Sequence, residues 1–313
     1  MTAFPDIQGK DPHSNFVLSR VGISGVKRPV TINRPKGSIS LVPEFDISVD
    51  LPAKQKGSHM SRHLEVINRA IDMAVEEQND SVERLVERIA RELLRSHDYA
   101  TYADVRLSAD YFLKKRSPDD REVTENYRIF AEARIKRGER NPYRSIGVEV
   151  SGLSACPCAM ENVRELLKRE LKKKGETPEA ISVLDRIPVP THNQRNKAYI
   201  EVGWTRELKL EANDLVELLE SNISSPTYEM LKRKGEAELV LAAHRNPKFV
   251  EDIVRDILKD FLDRYRELPD DVTIHVRSIS EESIHKHDAF AERVTDLGTL
   301  RKGSIFENDT LKS

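Results

Sequence analysis

Two long runs of strict alternation limit what this chain can become. In the first, Ala103, Val105, Leu107, Ala109, Tyr111 and Leu113 alternate with mostly polar residues. In the second, Tyr127, Ile129, Ala131, Ala133 and Ile135 repeat the pattern. Strand side chains point to opposite faces with a period of two, so each run buries one face and wets the other. The polar stretch SPDDREVTEN joins them. Two alternating runs with such a connection predict an antiparallel hairpin.

Around this hairpin the period becomes helical. In SRHLEVINRAIDMAVEE, the residues Leu64, Ile67, Ile71 and Ala74 fall on one face. Asp80 or Ser81 can cap a second helix, whose stripe is Val82, Leu85, Val86, Ile89, Ala90, Leu93 and Leu94. GSHM at 57–60 resembles a tag scar, but it runs straight into the first helical pattern and reads as native. Residues 38–50 read as extended, after a segment punctuated by Pro29, Pro35 and Gly37.

The second half repeats this vocabulary. Ile146, Val148 and Val150 alternate and lead into SGLSACPC, and the helical ENVRELLKRELKKK follows. Residues 174–190 read as a loop or insertion. Ala198, Ile200, Val202 and Trp204 alternate, and Leu215 to Ile223 is helical in pattern. Over 248–266 a helix is expected with Phe249, Val250, Ile253, Val254, Ile257, Phe261 and Leu262 on one face, and Val272, Ile274 and Val276 form a last strand. The fold class is therefore α+β, with antiparallel strands packed on long helices. Element order alone suggests two copies of one module, over 38–140 and 141–298. An N-terminal segment (1–37) and a polar, mobile tail (299–313) flank them.

Composition sets the outer bounds. A chain of 313 residues with 38% hydrophobic and 33% charged residues reads as soluble and globular. Lys plus Arg total 51 and Asp plus Glu total 53, a balance that argues against nucleic-acid binding by bulk electrostatics. No signal-peptide pattern and no membrane-spanning run is present, so a cytoplasmic location without membrane attachment is expected. Two cysteines cannot make a disulfide framework.

Those two cysteines are Cys156 and Cys158, flanking Pro157 between a strand and a helix. A helix N-terminus favours the thiolate, and a proline turn can aim the two sulfurs differently. One sulfur could bind metal while the other faces substrate; the alternative is a pair of buried small hydrophobes. His192, in the polar turn PTHNQRNK, could ligate a metal or shuttle protons, or be a solvated loop histidine. His285 and His287 in ESIHKHDAF share one side if that stretch is a strand, which would suit a divalent metal; the alternative is a polar surface strand. Glu229, Glu236, Glu238 and His244 read as ordinary helix-surface groups. A thiolate and two imidazoles with an open position would make a catalytic metal site. No phosphate-binding loop of the GxxxxGKS type is present.

The strings SGLSACPCAM, THNQR, SSPTYEMLKRKGE, NPKFVEDIVRDI and ESIHKHDAF, in that order, resemble the type IB GTP cyclohydrolase I family. VGISGVKRPV, KGSHMSRHLEV and ADYFLKKRSP extend the resemblance over nearly the whole chain. The SACPC form and the insertion before HNQR are most similar to the archaeal, Fe(II)-dependent branch that serves methanopterin synthesis.

The resemblance implies tandem tunnelling-fold modules in a homo-oligomer, dimer or tetramer, with sites near subunit interfaces. It implies GTP as substrate and Fe(II) as metal, with Zn or Mn as substitutes. Activated water attacks guanine C8, the imidazole ring opens, and formate leaves. The archaeal branch implies 7,8-dihydroneopterin 2′,3′-cyclic phosphate as product, where the bacterial pattern implies the triphosphate. By the same resemblance Cys156 is a metal ligand, Cys158 the thiol at the substrate, and His192 a ligand or acid/base. His285 is a further ligand, with His287 as the fallback. Pro226 and Leu241 stand where some members carry carboxylates. The fourth ligand and guanine anchor are therefore sought in Glu236, Glu238 or His244. Arg195, Lys197 or the basic run 114–116 would hold the triphosphate. A metal-binding or redox-sensing protein without catalysis is the reading from a different class.

Overall fold

The computed structural model describes residues 6–34, 37–76 and 81–303. Strands β1 (Leu18–Lys27), β2 (Val30–Arg34), β3 (Gly37–Leu41) and β4 (Glu44–Leu51) come first. Helices α1 (Met60–Glu76) and α2 (Val82–Ser96) follow, then the hairpin β5 (Tyr102–Arg116) and β6 (Glu122–Lys136). Next come β7 (Tyr143–Ala155), α3 (Pro157–Lys173), the short α4 (Pro178–Ser182) and β8 (Asn193–Trp204). The chain continues through α5 (Ala212–Asn222), the two-residue β9 (Ser225–Pro226), α6 (Arg233–Arg245) and α7 (Val250–Arg264). It closes with β10 (Thr273–Glu281), β11 (Ala289–Asp296) and α8 (Leu297–Arg301).

This is the α+β class expected from the alternation. Ala103, Val105, Leu107, Ala109 and Tyr111 are buried on β5, and Tyr127, Ile129, Ala131, Ala133 and Ile135 on β6. The chain forms two compact units, each discontinuous in sequence. The first draws on Met1–Tyr111, Arg128–Gly147 and Val202–Leu210; the second on Phe112–Tyr127, Val148–Glu201 and Glu211–Ser313. The sequence reading had contiguous modules divided at 140/141. Strands β5 and β6, with 15 residues each, contribute residues to both units.

In the first unit the strand order is β1-β4-β5-β6-β7-β8, and β1 pairs β4 antiparallel. The α2 stripe is buried along its length, from Val82 to Leu94. Each such Val, Leu or Ile contributes about 1.5–3 kcal/mol. Ser81 caps this helix by accepting from Arg84 N–H; Asp80 lies outside the described residues. The α1 face is rotated from the expected one. His63, Val66, Ile67 and Ala70 are buried, whereas Leu64 is exposed and Ile71 is half-buried. The side chain of Ala74 lies outside the described residues. The expected stripe took apolar residues only, and a fully buried imidazole breaks that rule.

His63 meets His97 with ring centroids 4.6 Å apart, and His97 meets Tyr99 at 5.6 Å. His97 Nδ1 bonds Leu93 O at 2.9 Å. His63 Nδ1 faces His59 O at 3.4 Å. The Nε2 atoms of both rings are buried without a hydrogen-bond partner among the described residues.

In the second unit the order is β5-β6-β7-β8-β10-β11, with β9 on β7. Residues 289–296, unassigned from the sequence, form β11 and pair antiparallel with β10. The 174–190 stretch contains α4 and a 3₁₀ turn, and α8 (Leu297–Arg301) takes in residues 299–301 of the expected tail; residues 304–313 lie outside the described residues. Helix α7 packs on β10, β11 and α5 through Ile253, Val254, Ile257 and Phe261. Phe249, expected on that apolar face, is instead the exposed N-cap. No helix among the described residues is long and apolar enough to cross a membrane.

Candidate active site

Strand β7 ends at Ala155, and the CPC sequence builds the start of α3. Cys156 is the N-cap, with the extended backbone that position requires (φ −74°, ψ 113°), and its Sγ accepts from Ala159 N–H at 3.4 Å. Pro157 occupies the first helical position, where its fixed φ fits and its missing N–H costs nothing. A proline therefore fits between the two cysteines. Residues two apart at a helix start point in different directions. Cys156 accordingly lines a cavity, while Cys158 is exposed and receives Asn162 Nδ2 at 3.5 Å.

That cavity, about 480 Å³, lies wholly within the second unit. His192 enters it from the residue before β8. Its backbone is anchored next door: Thr191 N–H donates to His244 Nε2 at 3.1 Å, and His244 Nδ1 donates to Val240 O at 2.7 Å. His244 is 1% exposed, so it is a buried strap for the His192 turn and not a surface group. His192 Nδ1 is itself buried without a partner among the described residues.

His285 and His287 also line the cavity, but not from a strand. Residues 282–288 connect β10 to β11 as an irregular loop, and the two rings stack at 5.3 Å with an interplanar angle of 14°. The alternation expected for IHKH stops at Glu281, where β10 ends.

Gln194, Glu282 and Phe290 also line the cavity without a sequence expectation, and Phe249 joins them from the start of α7. Gln194 Nε2 donates to Glu282 Oε1 at 3.1 Å. Phe249 and Phe290 bring aromatic surface, and Arg277 stands 5.2 Å from the Phe290 ring. Strand parity carries a usable signal for Gln194 and Glu282. Gln194, Asn196 and Ala198 alternate inward on β8, and Ser278 and Ser280 on β10 lead to Glu282. Arg195 and Lys197 have the opposite parity and do not line the cavity; Lys197 pairs with Glu281. Glu236 and Glu238 are exposed on α6 away from the cavity, where Glu238 pairs with Lys234 at 3.5 Å.

The donor chemistry of Cys156, His192 and His285 suits a divalent transition metal: one sulfur and two imidazoles, with a buried ring nitrogen on His192 that no described residue satisfies. Among the described residues, no three His, Cys, Asp or Glu side chains are gathered around one point. The donors share a cavity without being assembled.

The sequence matches the profile of the type I GTP cyclohydrolase folE2 family over residues 4–291. The chain belongs to the type I GTP cyclohydrolase family. Within that family it is similar to GTP cyclohydrolase MptA 1 of Methanocella arvoryzae, 40% identical over 310 residues, covering 98% of each chain. It is also 40% identical over 305 residues to GTP cyclohydrolase MptA of Methanothermobacter thermautotrophicus, covering 96% of each. Among solved structures, uricase from Arthrobacter globiformis matches with a TM-score of 0.48 and 9% identity, covering 93% of this chain and 96% of that one.

Proposed function

We propose that this type I GTP cyclohydrolase opens the guanine imidazole ring of GTP, releases formate and forms 7,8-dihydroneopterin 2′,3′-cyclic phosphate. One observation carries the reading: Cys156, His192 and His285 share a cavity with a carboxylate, Glu282, and two aromatic side chains. A sulfur and two imidazoles would hold Fe(II), with Zn or Mn as substitutes. A metal there would supply a Lewis acid that generates hydroxide near neutral pH.

The chain's own groups account for the rest. Guanine offers two donors side by side, N1–H and the 2-amino group, and an ionised carboxylate such as Glu282 accepts both. Phe249 and Phe290 offer faces for a flat base. Cys158, exposed beside Cys156 and receiving a hydrogen bond from Asn162 Nδ2, is assigned the delivery and recovery of a proton as the ring opens. His192, with a free buried Nδ1, serves as ligand or as acid/base. Assembly into a dimer or tetramer is part of the reading. In support, β11 ends the described strand order and exposes Phe290 and Val294 at 62% and 64%.

The test is anaerobic. Metal-stripped protein is reloaded with Fe(II), given GTP, and assayed for formate and pterin fluorescence, with Cys158→Ala alongside. Wild type should give both products and Cys158→Ala neither. Mass spectrometry of the pterin phosphate then decides the product, and a triphosphate would refute the cyclic phosphate.

A further inference from the structure

The inward faces of β7, β8 and β10 carry a run of buried polar pairs beside the cavity. Ser154 and Ser280 hydroxyls lie 2.9 Å apart, and Asn196 Nδ2 donates to Ser278 Oγ at 2.8 Å. The last pair in the run is Gln194 with Glu282. Gln194 is 8% exposed, and its Oε1 is buried with no hydrogen-bond partner among the described residues.

That orphan oxygen is informative. A buried amide oxygen without a donor costs stability, and an apolar side chain of the same shape would avoid the cost. Stability alone therefore does not call for an amide at this position. What the amide supplies is its other end. An ionised carboxylate only accepts, so Nε2 must face Glu282 and Oε1 must face away. The orientation of Gln194 is dictated by Glu282, at the expense of its own acceptor.

We propose that Gln194 is a positioning residue that fixes the Glu282 carboxylate and thereby sets the enzyme's preference for a purine bearing a 2-amino group. The proposal rests on the reading of Glu282 as the guanine acceptor. A hydrogen bond from a strand residue pins one carboxylate oxygen. The second oxygen, and the remaining lone pair of the first, stay open for substrate donors. A pinned acceptor left without a donor is penalised, whereas a carboxylate that can swing turns to water instead. Discrimination against inosine 5′-triphosphate, which lacks the 2-amino group, therefore depends on Gln194 as well as on Glu282.

The experiment compares kcat/KM for GTP and inosine triphosphate in the metal-loaded full chain. Wild type, Gln194→Leu, Gln194→Met and Glu282→Gln are measured together with their thermal melts. Methionine keeps the side-chain length, so a folding failure of the leucine variant does not decide the matter. The Gln194 variants should melt at or above wild type. Their kcat/KM for GTP should fall about tenfold or more while that for inosine triphosphate barely moves, collapsing the ratio. Equal losses for both nucleotides, or an unchanged ratio, would overturn the proposal and leave Gln194 a structural residue. If wild type turns over neither nucleotide, the cyclohydrolase reading fails separately. The same ratio is then read from calorimetric binding of the two nucleotides, where the same collapse is expected and its absence counts against Gln194.

Discussion

Acidification should destabilise this protein through one buried side chain. His63 is fully buried against the His97 ring. Burial first, and then the neighbouring His97, hold its imidazole down at about 4 from an ordinary 6.5. In the unfolded chain the ring takes a proton near pH 6.5; in the folded protein it resists until about pH 4. Between those values the unfolded state binds more protons, so stability rises with pH through this window and is level above it. At 1.36 kcal/mol per pH unit of difference, the contribution lost between pH 7.5 and 4.5 is about 2–3 kcal/mol. The assay is urea unfolding of wild type and His63→Phe at pH 7.5, 6.5, 5.5 and 4.5, with chelator present throughout. Carboxylates common to both proteins cancel in the difference. Wild type should lose about 2–3 kcal/mol relative to the variant on acidification. A difference that stays constant with pH, or grows in favour of wild type, would refute the reasoning.

Two further predictions concern the supports of the site. His244→Ala removes the acceptor for Thr191 N–H and opens a void at a 1% exposed position. It should cost about 2 kcal/mol in denaturant unfolding and, where His192 holds the proposed metal, weaken Fe(II) affinity with His192 left in place chemically. Gly152→Ala places a Cβ 2.1 Å from Ile223 Cδ1 and 2.8 Å from Ser225 O, inside the β7–β9 pairing. A loss of about 1–3 kcal/mol is expected, read as a lowered melting temperature, because the backbone oxygen cannot yield without breaking that pairing.

Much of this protein is local and therefore legible in one dimension. The alternation of 103–113 and 127–135 marks β5 and β6 because strand periodicity is a property of neighbouring residues. The CPC junction is equally local: a cysteine N-cap, a proline at the first helical position and a second cysteine follow from the rules of a helix start. The order of the motifs is equally a property of the sequence, and it resembles the family's without reference to tertiary structure.

Other features depend on residues distant in the chain. His63 faces inward because α1 packs with a neighbouring helix that brings His97, and a stripe of apolar residues alone leaves it out. His285 and His287 lie on a loop because β10 ends at Glu281, which depends on its pairing with β11. Phe249 reaches the cavity because Lys248 N–H donates to Ala155 O, tying the start of α7 to the end of β7. Gln194 and Glu282 meet through adjacent strands from positions 88 residues apart. Periodicity reports which face of an element is apolar; it carries no information on which polar groups from other elements will converge there. That convergence is set by strand order and helix docking, which only the tertiary structure decides.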